Sequence, residues 1–107
     1  MEKGPSTWGE YWTSEFAEEQ HFDDHGNDMG FETVEEYSQA AKNFAKSKEK
    51  EIKEFKAKNG STYRYNPNTN KFLIISKGGK IVTYFEPTNG QKYFDGEFIK
   101  WGDYWIS

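Results

Sequence analysis

The spacing of hydrophobic positions changes partway along the chain. Before residue 47 they recur every three or four residues, the period of an amphipathic helix. After residue 60 they alternate or cluster in short runs, the pattern of strands. In the first part, Ser14 is placed to cap a helix over residues 15–24, with acids in its first turn and Phe16, Ala17 and Phe22 as its inner face. Gly26 and Gly30 interrupt that pattern and predict a compact turn. Thr33 and Glu36 stand at capping-box spacing. Val34, Tyr37, Ala40, Ala41 and Phe44 then share one helical face, so a second helix should end near Ser47.

Residues 49–57 are ambiguous, because Ile52 and Phe55 fit a helix as well as a strand. The hairpin signal Asn59-Gly60 tilts their end towards a strand. Strands follow at 61–65, 71–76 and 81–85, separated by Asn66-Pro67-Asn68-Thr69-Asn70 and Lys77-Gly78-Gly79-Lys80. Phe72-Leu73-Ile74-Ile75 reads as a strand buried on both faces. Pro87 ends the last of these strands, and Thr88-Asn89-Gly90 turns into residues 91–94 as a further part of the meander. Residues 1–13 read as a leader or linker remnant, with Trp8, Tyr11 and Trp12 able to dock on the body. Residues 14–107 form a single α+β domain, its N-terminal helices packed on one face of a small antiparallel β-meander.

Composition supports one small core. The chain has 107 residues, 34% of them hydrophobic but 19% aromatic, so a few large rings replace many aliphatic side chains. No run reaches the roughly 18 apolar residues that span a bilayer, and no membrane partner is expected; the chain reads as soluble, or as a soluble piece of a longer protein. With no cysteine, a disulfide framework, a Cys-ligated zinc and a thiol nucleophile are excluded. Charge is strongly divided. Residues 1–40 hold eleven acids and one lysine, whereas residues 42–80 hold eleven basic residues and three acids. A basic half suits phosphate backbones, although the two halves also neutralise each other.

His21 and His25 stand four apart, the spacing that places both on one helical face. With Asp24 and Asp28 they match no zinc spacing, and neither metal nor cofactor is expected. A histidine titrates near working pH, so it suits removal of the proton from a ribose 2′-hydroxyl that attacks the adjacent phosphate. Candidate phosphate contacts are Arg64, Lys71, Lys77 and Lys80, and Tyr63, Tyr65 and Tyr84 are candidates for stacking on a base, Tyr84 foremost. The chain has no Gly-rich phosphate loop, nucleophilic-serine motif or dinucleotide fingerprint.

The order of these motifs resembles a known family. His25-Gly26-Asn27-Asp28-Met29-Gly30 precedes a helix. Tyr63-Arg64-Tyr65-Asn66-Pro67-Asn68-Thr69, Phe72-Leu73-Ile74-Ile75, Ile81-Val82-Thr83-Tyr84-Phe85 and Asn89-Gly90-Gln91-Lys92-Tyr93 follow. Over residues 21 to about 96 this is similar to the colicin D-like nuclease domains of the barnase–EndoU–colicin–RelE group of metal-independent toxin ribonucleases. The resemblance implies that His25 is the catalytic base, that Thr83 assists at the phosphate and that Phe85 lies in the same site. His21 is a weaker candidate for the acid. It further implies a tRNA substrate, possibly cut in the anticodon loop, an immunity protein as partner, and a monomer. Such a domain acts in the cytoplasm of a target cell, delivered as the C-terminal part of a secreted or phage-borne protein. One departure stands out: where the family has lysines before the histidine, this chain has Phe22, Asp23 and Asp24. Those carboxylates would repel a phosphate and favour the alternative, a non-catalytic RNA- or protein-binding module on the same fold.

Overall fold

The computed structural model describes residues 11–106. Helix α1 (Glu15–His21) runs directly into a π-helical turn (Phe22–Gly26), and α2 (Val34–Lys46) follows. Four strands then form a meander: β1 (Lys53–Ala57), β2 (Thr62–Asn66), β3 (Lys71–Ile75) and β4 (Ile81–Phe85). Helix α3 (Gln91–Trp101) and β5 (Gly102–Trp105) complete the chain. The sheet order is β4-β3-β2-β1-β5, and every neighbouring pair is antiparallel. No helix among the described residues is long and apolar enough to cross a membrane.

The α+β architecture agrees with the pattern of the sequence, and so do both N-caps. The Ser14 hydroxyl accepts from the Ala17 amide, and the Thr33 hydroxyl accepts from the Glu36 amide. The Glu36 carboxylate reaches back to the Glu32 amide rather than to the cap residue itself. The ambiguous stretch resolves into β1. In the turn after β2, the Asn66 side-chain oxygen accepts from the Asn68 amide at 2.8 Å, which closes the backbone locally.

Two sequence expectations need correction. The inner face of α1 is not set by Phe16, which is 74% exposed; buried Glu18 and half-buried Ala17 take that place. Residues 91–94 do not continue the meander but open α3, whose Phe94 and Phe98 pack one turn apart against Phe55. The sheet is therefore covered on both faces. On one face, α2 buries Tyr37, Ala41 and Phe44 against Leu73, Ile81 and Tyr84. On the other, α3 buries Phe94 against Phe55, Tyr65 and Phe72.

Trp12, expected to be able to dock on the body, does so. It is 1% exposed, pairs with Ile81 as a parallel bridge, and belongs to the α2-side core. The Thr13 amide donates to the Ile81 carbonyl at 3.0 Å. These contacts carry α1 along the outer edge of β4. Trp8 lies outside the described residues.

Candidate active site

The site is built where α1 meets β4. In β4, residue 82 is an extra residue: Ile74 lies opposite Thr83, and the next residue, Ile75, lies opposite Ile81. Such a bulge reverses the alternation of side chains. It lets Ile81 join the α2-side core while Thr83 and Phe85 stay on the α3 side, in register with Ile74 and Phe72.

The histidines reach this face from the junction of α1 with its π-helical turn. Gly26 makes the wider turn possible, because a Cβ there would lie 2.3 Å from Phe22 Cδ1. Nδ1 of His21 lies 3.1 Å from Oγ1 of Thr83. The His25 ring stacks on Phe85 with centroids 5.0 Å apart, and the two histidine rings stack on each other at 5.7 Å. The four residues singled out as His21, His25, Thr83 and Phe85 therefore come together in space, although 58 positions separate His25 from Thr83 in sequence.

A buried polar chain supports His21 from behind. The Trp12 ring stacks on His21 at 5.9 Å, and its indole N–H donates to Ser38 Oγ at 3.1 Å. The Ser38 hydroxyl donates in turn to the buried Glu18 carboxylate. Burial lowers the pKa of His21 and the neighbouring His25 adds to the effect, while Asp24 opposes it. Neutral imidazole is thereby favoured at this position. With its proton on Nδ1, His21 donates to Thr83 and leaves the threonine hydroxyl proton free to meet an anionic oxygen.

The other predicted contacts divide by environment. Tyr84 is not available for stacking on a base: it is 3% exposed beneath α2, its ring against Tyr37 and Phe44, and burial raises its pKa. Its carbonyl accepts the Tyr37 hydroxyl, whose own pKa burial also raises. Arg64 is likewise held by the fold. Its guanidinium pairs with Glu54 at 2.8 Å, donates to the Ser47 carbonyl and lies over the Phe44 ring. It borders a depression of about 640 Å³ with Lys46, Lys48 and Glu49, on the α2 side and away from the histidines. Lys71 pairs with Glu86. Lys77 and Lys80 are exposed in the β3–β4 turn.

Tyr93 and Trp12 were not recognised as site residues from the sequence. Tyr93 sets its ring edge against Phe85 at 5.7 Å, and it escaped notice with the rest of α3. The spacing of Phe94, Phe98 and Trp101 carries the helical signal for that element. Among the described residues, no three His, Asp or Glu side chains converge to hold a metal.

No family model matches this chain, and no curated protein matches it. Among solved structures it is similar to a ribonuclease from Escherichia coli complexed with its inhibitor protein. The TM-score is 0.54 at 20% identity, over 73% of this chain and 95% of that one. At that identity the likeness is one of fold.

Proposed function

We propose that this domain is a metal-independent endoribonuclease of the toxin type, acting on tRNA. The observation that carries the reading is the convergence of His21, His25, Thr83 and Phe85 on one sheet face. A fold shared with a ribonuclease supports it. In this reading His25 accepts the proton of a ribose 2′-hydroxyl. The 2′-oxygen bonds to the adjacent phosphorus and the bond to the 5′-oxygen breaks. That oxygen takes a proton from solvent, because burial and His25 both disfavour the charged form that His21 would need as an acid. Thr83, oriented by His21, donates to a phosphoryl oxygen as its charge grows. Phe85 and Tyr93 offer an aromatic wall beside the reacting nucleotide. The products are a 2′,3′-cyclic phosphate and a 5′-hydroxyl.

The similar ribonuclease was solved with its inhibitor protein. By analogy we assign this chain an immunity-type partner, and a place of action in the cytoplasm of a target cell after delivery as part of a secreted or phage-borne protein. The test is incubation of the purified protein with total tRNA in EDTA, wild type beside His25→Ala. Discrete fragments ending in 2′,3′-cyclic phosphate, absent with the variant, are the expected result. The exposed Asp23 and Asp24 beside His25 favour a second reading, a non-catalytic binding module. Intact tRNA after incubation with demonstrably folded wild type would select it.

A further inference from the structure

One end of the sheet gathers positive charge around an exposed indole. The β1–β2 and β3–β4 turns meet there: a Cβ on Gly60 would lie 2.9 Å from Cδ of Lys77. The Lys58 amide donates to the Trp101 carbonyl at 2.9 Å, which ties the end of α3 to the same place. Residues 58–60, 77–80 and 100–103 carry Lys58, Lys77, Lys80 and Lys100 against a single carboxylate, Asp103. All four lysines are exposed, and none of Lys58, Lys77 and Lys100 has a carboxylate within ion-pair distance among the described residues. Trp101 stands beside them, 53% exposed. At the opposite end the turns at 67–70 and 86–90 hold no lysine or arginine, Lys71 pairs with Glu86, and in the α2–β1 connection Lys48 and Lys50 alternate with Glu49 and Glu51, so the lysines there stand among carboxylates.

We propose that this lysine-and-indole end is a second contact surface for unpaired RNA, holding nucleotides that flank the phosphate at the histidines. Two properties argue for nucleic acid over a protein partner. Lys58, Lys77 and Lys100 supply charge without carboxylate partners among the described residues, which suits a polyanion whose counterions are released on binding. The exposed indole supplies a flat face on which any unpaired base stacks. The link to the histidines runs along β4, where Thr83 lies three residues beyond Lys80, about 10 Å along the strand. The connection rests on the ribonuclease reading; the binding surface does not.

The test is fluorescence anisotropy with a labelled single-stranded oligodeoxyribonucleotide, which lacks the 2′-hydroxyl and survives contact with the site. Lys58→Ala/Lys100→Ala should weaken binding about tenfold and reduce the salt slope by about 1.4, two single-strand phosphate contacts. Trp101→Ala should weaken it about tenfold with little change of slope, and Trp101→Phe should restore most of the loss. The Phe variant and the lysine pair keep the test decisive if Trp101→Ala fails to fold. Wild-type affinity in the folded variants overturns the proposal. So does equal binding of a duplex, which offers no free base to the indole. Cleavage of a dinucleotide by the same variants separates the two readings. Lost oligonucleotide binding with intact dinucleotide cleavage supports both. Lost binding with no cleavage even by wild type keeps the surface and removes the ribonuclease.

Discussion

The two edges of the sheet are finished differently. At the β4 edge, Trp12 and Thr13 bond to the strand and α1 lies along it, so this edge carries a ring stack running from buried Trp12 through half-buried His21 and His25 to Phe85. At the other edge, β5 pairs with β1 alone among the described residues and shows Tyr104, Trp105 and Ile106 at 45% exposure or more. Covering one edge protects its backbone from foreign strands. Here the cover also supplies the histidines, so on the proposed ribonuclease reading stability and chemistry are coupled at β4. At β5 they are separable.

The largest expected break in this contrast is Trp12→Ala. Removing a fully buried indole should cost about 3–5 kcal/mol and abolish cleavage, because His21 loses the ring it stacks on. Tyr104→Ala at the open edge should change stability by about 0.5 kcal/mol or less. Urea denaturation of the two variants measures the difference. Equal losses would mean that the edges are not finished differently.

Gly26→Ala tests whether the π-helical turn sets the site. The added Cβ would meet the Phe22 ring at 2.3 Å, an overlap that should cost about 1–3 kcal/mol and shift His25 from Phe85. Cleavage should fall further than stability, and Phe22→Leu in the same chain should recover part of both. A Gly26→Ala chain with full activity would show that the turn does not position His25.

Much of this fold was legible because local signals agreed with the final packing. Thr33, the Asn59-Gly60 turn and the Phe72–Ile75 run each predict what they form. The failures share a physical cause. Phe16 is exposed while Glu18 is buried, because a tertiary hydrogen bond from Ser38 makes burial of the carboxylate tolerable, and no helical period encodes that. The docking of Trp12 is expected, but its partners, Ser38 and Ile81, lie far along the chain and are not encoded locally. A resemblance of motifs names His25, Thr83 and Phe85 as one site and the structure brings them together, whereas strand alternation alone puts only the last two on one face. Arg64 and Tyr84 show the converse. A basic or aromatic residue in a strand looks like a ligand contact until its neighbours across the sheet are known.

A smaller effect concerns pH. Because burial lowers the pKa of His21 in the folded chain, the unfolded chain takes up its proton first as pH falls. Stability should therefore be flat with respect to this group above its ordinary value of 6.5 and decline as pH drops below it. Denaturation midpoints in urea at about pH 7.5 and about pH 5.5, for wild type and His21→Phe, isolate this contribution. The decline should be shallower in the variant. A decline of equal steepness in both chains would assign the acid sensitivity to other groups.

The smallest effect separates a lysine held by the fold from one that the fold leaves exposed. Lys71 and Glu86 are both partly exposed, so their ion pair should contribute at most about 1 kcal/mol, and Lys71→Ala should lower stability by that much or less. The lysine also keeps a carboxylate as its neighbour, which offsets its attraction for phosphate. Oligonucleotide binding by Lys71→Ala should stay within about twofold of wild type, whereas Lys100→Ala, with no ion-pair partner among the described residues, should leave stability unchanged and weaken binding several-fold. Anisotropy and urea midpoints on this pair of variants measure both quantities. If Lys71 proved the stronger contact for the oligonucleotide, phosphate would be tracking the opposite end of the sheet, and the charge contrast between its two ends would have to be read in reverse.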